Sequence, residues 1–204
     1  MTKISRKNNI RDADSELIAA INQGEEKRFT ELVSRYQGKL YNFGLRLCRD
    51  AQDAEDLVQD TFINVFKYLK NFRYESQFKN WLYKVAAGVC YKKRRKSKFA
   101  PERELSLDDF IPPEAEAPEE MPAWAALPID KVLNDELAEH LNEAIAELPT
   151  KYQLVLVLRD IEGFSTSEAA QILSVSESNV KVRLHRARLF LRETLKNYYN
   201  HESD

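Results

Sequence analysis

Glycine is scarce in this chain, with five in 204 residues. Few segments alternate apolar and polar residues, and together these absences argue against an all-β fold with its many tight turns. No apolar run approaches the roughly 20 residues that a bilayer-spanning helix needs. The polar, basic segment Met1 to Arg11 has no apolar stretch behind it and does not read as a secretory signal. The two cysteines, Cys48 and Cys90, belong to no CxxC motif or Cys/His cluster. They read as reduced, buried thiols of a cytoplasmic protein, and no metal site is expected. A Gly-rich phosphate loop, an HExxH and a GxSxG are all missing. His140, His185 and His201 have no partner nearby in sequence. The chain is therefore not expected to be an enzyme, and neither a cofactor nor a catalytic residue is assigned.

What is present is charge, unevenly spread. The formal net charge of −2 hides a division: from Glu102 to Glu147 fourteen acids face two bases, Arg103 and Lys131. That segment carries −12, so the remainder carries about +10 by subtraction. Two basic regions separated by an acidic one suggest a nucleic-acid partner. Six of the seven prolines fall between Phe99 and Pro128, interspersed with acids, which marks a linker. The expected fold class is all-α: two small helical domains joined by an acidic, proline-rich linker, the second domain a helix-turn-helix. The expected divisions are a disordered basic tail over 1–13, a domain over 14–98, the linker over 99–129, a domain over 130–197 and a tail over 198–204.

In the first domain Asp14 is placed to cap a helix over Ser15 to Asn22, broken by Gly24. A second helix is expected from Glu25 to Leu47. A third, from Asp53 to Phe72, carries an apolar stripe of Val58, Phe62, Val65, Phe66 and Leu69. Asp53, Asp56, Asp60 and Asn64 fall on its opposite arc. Those acids suit either a solvated face or a docking face for a basic partner; a catalytic carboxylate pair is the weakest alternative, since nothing puts them near a nucleophile. The last helix, Gln77 to Lys96, has Phe78, Trp81, Leu82, Val85 and Val89 as its buried stripe. Lys84, Gly88, Tyr91, Lys92 and Arg95 share the other side. The run Lys92-Lys93-Arg94-Arg95-Lys96 calls for an anionic partner. Aromatic rings beside such bases suit single-stranded DNA, where stacking contributes roughly 1–3 kcal/mol per base. The alternative for the rings is core packing. Phe78 and Trp81 are expected to be at least partly core, and Tyr74, Tyr83 and Tyr91 more exposed.

Beyond the linker, helices are expected over Asp130 to Leu148 and Thr150 to Ile161. The run Leu154 to Leu158 could pass for a strand but reads as helix in its context. Ser165-Thr166-Ser167-Glu168 has the form of a capping box. It starts a short helix to Leu173; Ser174-Val175-Ser176 turns, and a longer helix runs from Glu177 to about Asn197. This is helix-turn-helix spacing. Val180, Leu184, Ala187 and Leu191 form the buried stripe of the last helix. Ser178, Lys181, Val182, His185, Arg186 and Leu189 point away, flanked by Asn179, Arg183, Arg188 and Arg192. Such a helix fits the DNA major groove, about 12 Å wide. An ordinary basic surface helix is the alternative.

Three stretches together resemble a known family. They are Asp53-Ala54-Glu55-Asp56-Leu57-Val58-Gln59-Asp60, Phe78-Lys79-Asn80-Trp81-Leu82-Tyr83, and Ser165 onward to Arg183-Leu184-His185-Arg186-Ala187-Arg188, with Leu148-Pro149 between. In order and spacing they resemble the extracytoplasmic-function group of the sigma-70 family. The resemblance implies a promoter-recognition factor for core RNA polymerase, contacting its β′ and β subunits. It implies a polymerase face at Asp53, Asp56, Gln59 and Asp60. It implies capture of the separated minus-10 strand by Arg73, Tyr74, Ser76, Lys84, Gly88, Tyr91, Lys92 and Arg95. It implies reading of the minus-35 duplex by Ser176, Ser178, Asn179, Lys181, Val182, Arg183, His185 and Arg186. An anti-sigma protein, membrane-bound in some cases, is the further partner expected. The chain departs from the family at Gly88 and Lys92, where Asn and Asp are common, and at Ser174, where Gly is common. If position 174 needs a positive φ, serine costs about 1 kcal/mol there. Two other readings compete: a DNA-binding regulator that never joins polymerase, and a helical adaptor that binds proteins alone.

Overall fold

The computed structural model describes residues 10, 12–48, 50–96 and 135–201, with side chains at 95–96, 135–139 and 196–201 left out. The expected linker, the tail 202–204 and most of the basic tail lie outside these residues. Among the described residues the chain is helical and contains no strand.

The first half comprises α1 (Ser15–Asn22), α2 (Phe29–Leu47), α3 (Ala51–Tyr68) and α4 (Phe78–Lys96). Short 3₁₀ turns lead into α2 and out of α3. Asp50 caps α3, its carboxylate accepting the Asp53 amide at 2.7 Å. Asp14 stands at the N-cap of α1 but makes no cap bond. Its buried carboxylate instead accepts from the Tyr36 hydroxyl and, at 2.9 Å, from Arg35. The buried stripe of α3 is rotated from the expected one: Ala54, Leu57, Thr61, Phe62 and Val65 are buried, while Phe66 is exposed. Phe66 packs its ring against Phe29 at the surface, centroids 5.1 Å apart.

The second half comprises α5 (Asp135–Glu147), α6 (Thr150–Leu156), α7 (Thr166–Leu173) and α8 (Glu177–His201). The ambiguous run at 154–158 is helical. Over Val157–Ile161 the helix widens into a π turn, with the Glu162 amide donating to the Val157 carbonyl five residues back. The capping box forms as expected: Ser165 and Glu168 satisfy each other's backbone amides. Val180, Leu184, Ala187 and Leu191 are buried.

The halves pack on each other and share one apolar core. Tyr83, expected to be more exposed, is fully buried between Phe43 and Phe164, with centroids 5.1 and 4.9 Å away. Its hydroxyl donates to Glu162 at 2.5 Å. Burial, and then this bond, push the Tyr83 phenol well above its ordinary pKa.

Candidate nucleic-acid and polymerase interface

The acids of α3 are surface groups. Asp53, Gln59 and Asp60 are exposed and Asp56 is half-buried. Lys93 of α4 reaches across to them, 3.0 Å from Asp56 and 3.6 Å from Asp53. The hydrogen bond and charge of Lys93 hold the Asp56 carboxyl below its usual range. Burial alone would lower the Lys93 pKa, but Asp56, Asp53 and Asp60 outweigh it and hold the ammonium above its ordinary value. One base of the basic run therefore faces the acidic patch.

A second base of that run is also turned inward. Arg94 donates to the Leu47 carbonyl at 2.7 Å and to Gln153 at 2.8 Å. Gln153 is fully buried, and its own amide donates to the Arg46 carbonyl at 3.0 Å. Lys84, Gly88, Tyr91 and Lys92 face solvent as expected. The side chain of Arg95 lies outside the described residues.

Between α3 and α4 the loop over 72–77 opens on a cavity of about 300 Å³. Arg73, Ser76, Asn80, Trp81 and Lys84 line it from the first half, and Gln171 and Ile172 of α7 from the second. Phe72 forms its floor, with its ring 5.4 Å from Trp81 and 5.8 Å from Phe78. Asn80 is buried. Its amide donates to Glu168 at 3.2 Å, while its Oδ1 has no hydrogen-bond partner. Arg73 and Lys84 outnumber the one carboxylate of the lining, Glu75, and with the rings of Phe72 and Trp81 they suit an anionic, ring-bearing ligand such as a nucleotide.

In the helix-turn-helix, Ser178, Asn179, Lys181 and Val182 are exposed, and Arg183, His185 and Arg186 partly so. Ser176 serves the fold: its hydroxyl accepts the Asn179 amide at 3.2 Å at the start of α8. Arg188 is engaged in a two-pronged ion pair with Asp160 and sits inside the domain. Ser174 has φ +56° and ψ 44°, the left-handed conformation expected of a turn glycine. A group of His, Cys, Asp or Glu suited to hold a metal is absent among the described residues. Cys90 is buried and Cys48 half-buried; both are free thiols. Burial pushes Cys48 up to about 12 and Cys90 up to about 11, so neither is poised as a thiolate.

The Sigma-70 region 2 family model matches residues 32–99, and the Sigma-70, region 4 model matches residues 138–191. The ECF RNA polymerase sigma factor SigW of Bacillus subtilis (strain 168) is 30% identical over 88% of this chain and 95% of its own length. The chain belongs to the extracytoplasmic-function (ECF) group of the sigma-70 family. The ECF RNA polymerase sigma-E factor of Haemophilus influenzae (strain ATCC 51907 / DSM 11121 / KW20 / Rd) is 31% identical over 86% of this chain and 91% of its own length. Among solved structures, CnrH in complex with the cytosolic domain of CnrY matches with a TM-score of 0.64. That match has 26% identity and covers 91% of this chain and 99% of the other. The sigma factor RpoE of Bartonella quintana, in complex with the anti-sigma factor NepR, matches with a TM-score of 0.60 and 26% identity, over 83% and 98% of the two chains.

In this sigma factor the two promoter-reading halves thus meet, with α7 of region 4 closing one side of the cavity in region 2. Sequence reasoning missed Asn80 as a site residue. The signal available was a polar residue next to Trp81 and one turn before Tyr83, but its burial beside Glu168 depends on contact between halves 88 residues apart.

Proposed function

We propose that this sigma factor binds core RNA polymerase through Asp53, Asp56, Gln59 and Asp60 and reads promoter DNA with its other two surfaces. In this reading the domains run 14–98 and 130–197, joined by 99–129. The observation that carries it is the cavity beside loop 72–77. Its first-half wall brings Arg73 and Lys84 beside Trp81, which suits a base extruded from the minus-10 strand. Extrusion costs a few kcal/mol, which stacking and hydrogen bonding there offset. In this reading Arg73, Tyr74, Ser76, Lys84, Gly88, Tyr91, Lys92 and Arg95 contact the minus-10 strand. Ser178, Asn179, Lys181, Val182, Arg183, His185 and Arg186 read the minus-35 duplex, with Ser176 holding the start of their helix. The factor acts without catalytic chemistry of its own, in the cytoplasm. The likeness to the sigma factor RpoE, solved with the anti-sigma factor NepR, supports an anti-sigma partner.

The test is promoter opening with purified core polymerase and a library of promoter fragments. The pair Asp56→Lys and Asp60→Lys should reduce polymerase affinity at least tenfold and leave the helical content unchanged. A double variant that binds core polymerase as the parent chain does refutes the docking face.

A further inference from the structure

The loop that frames the cavity is held from the far end of the chain. Tyr74 has φ +55°, a left-handed conformation that a tyrosine adopts at a cost. Its carbonyl accepts the Ile10 amide at 2.8 Å. Four residues on, α4 begins without a side-chain acceptor of the usual kind, because Gln77 precedes it rather than Ser, Thr, Asp or Asn. The acceptor comes instead from Asp12, whose Oδ2 receives the Phe78 amide at 2.6 Å across 66 residues of sequence. Asp12 is itself fixed. Its Oδ1 accepts from the Ser15 hydroxyl at 3.0 Å and from the Asp14 amide at 3.1 Å. Its own amide donates to Ser15 Oγ at 2.8 Å. Ser15 opens α1, whose Leu17, Ile18 and Ile21 are buried in the core. The segment expected to be a disordered tail up to residue 13 is thus tied down at Ile10 and Asp12.

We infer that Asp12 is a positioning residue for minus-10 recognition: together with the Ile10 amide, it clamps both ends of the loop that presents Arg73, Tyr74 and Ser76 beside the cavity. This inference rests on the minus-10 reading above. The geometry separates it from a general stabilising role. Ile10 holds the strained residue itself, and Asp12 holds the first amide of the helix that carries Asn80, Trp81 and Lys84. A carboxylate at that end of α4 also favours the helix dipole. Without the clamp, Tyr74 can relax from its left-handed conformation, and the loop samples several arrangements before it meets a base.

The experiment measures binding of the full chain, complexed with core polymerase, to single-stranded minus-10 oligonucleotides, cognate and with each base changed. Asp12→Ala should lower cognate affinity about fivefold to tenfold, the range of a lost helix cap, and should also reduce the ratio of cognate to altered binding. Asp12→Asn keeps an acceptor oxygen and should recover most of both. Ile10→Pro removes the donor to Tyr74 without touching the cap; it should shift the ratio in the same direction and carries the test if Asp12→Ala does not fold. Affinities for core polymerase and for minus-35 duplex should stay within twofold. A folded Asp12→Ala or Ile10→Pro chain with the parent's discrimination ratio overturns the inference. Loss in proportion across all oligonucleotides and the minus-35 duplex also overturns it, since that is what destabilisation alone produces. A parent complex that binds no minus-10 strand overturns the reading beneath it.

Discussion

At φ +56° Ser174 holds a conformation that costs an L-residue about 1–2 kcal/mol. The turn needs it so that the Val175 amide can reach back to the Ala170 carbonyl, at 3.0 Å, before α8 departs. Glu168 carries more than one task at the other end of the same helix. Its carboxylate accepts the Ser165 amide at 2.8 Å and the Asn80 side chain at 3.2 Å. The backbone bond from Ser165, aided by Asn80 and the charge of Lys79, holds its pKa below the ordinary value despite partial burial. A depressed carboxylate stabilises the fold fully above its unfolded pKa, about 4.5, and loses that contribution as pH falls through the lower folded value. Glu168→Gln should therefore be less stable than the parent at pH 7, and the gap should narrow as the pH falls below about 4.5. Urea unfolding at several pH values checks this; a gap independent of pH would refute it.

Helix α2 contains two glycines with different surroundings. A Cβ at Gly38 would meet nothing within 4 Å, whereas one at Gly44 would lie 3.2 Å from both Cα and Cβ of Ala54 and 3.3 Å from its carbonyl oxygen. At Gly44 the helices α2 and α3 approach closely through a missing side chain, and the atoms it faces include backbone that cannot rotate away. Alanine improves a helix interior by about 1 kcal/mol over glycine when nothing opposes it. Gly38→Ala should thus stabilise the chain by about 0.5–1 kcal/mol. Gly44→Ala should lose that gain to the displacement of α3 and come out neutral to destabilising. Thermal or denaturant unfolding of the two single variants decides the matter, and equal stabilisation would show that α3 moves freely. The same close approach explains the rotated stripe of α3. With Ala54 against α2, the helix buries Leu57 and Thr61 and leaves Phe66 at the surface with Phe29.

Taken whole, the described molecule is closed. Minus-10 and minus-35 elements are, by their names, about 25 base pairs apart, or roughly 85 Å at 3.4 Å per step. A chain of this length folded as one body has a radius of gyration near 17 Å and a diameter of roughly 45 Å. The packed halves cannot occupy both elements, so promoter binding of the proposed kind requires them to part, which removes the α7 wall of the cavity and leaves its first-half side, with Arg73, Ser76, Trp81 and Lys84, to meet the strand. The chain between Lys96 and Asp135 reaches up to roughly 130 Å when extended, which is sufficient. The contacts to be released are polar and specific: Tyr83 to Glu162, Asn80 to Glu168, and Arg94 and the Arg46 carbonyl to Gln153. Each buried group left unpaired costs about 1–3 kcal/mol. The pair Tyr83→Phe and Gln153→Ala should shift the chain toward an open form, seen as a larger radius of gyration in small-angle scattering. No change in scattering would mean that apolar packing through Phe164 and Phe43 suffices to hold the halves together.

The helices and the helix-turn-helix were legible from local information. Apolar residues at helical spacing, a Ser-x-x-Glu box and a run of acids opposite an apolar arc depend on neighbours three or four positions away, which sequence displays directly. The family resemblance followed from the same stretches. Tertiary structure alone decided the partners of individual polar groups. Tyr83 turned from an exposed ring into a core residue because the second half covers it. Asp14 gave up its cap for Tyr36 and Arg35, and Lys93 and Arg94 left the basic face for Asp56 and Gln153. A buried hydrogen-bonding group takes whichever partner the packing brings within about 3 Å, and a partner 22, 37 or 59 residues away leaves no periodic trace in the sequence.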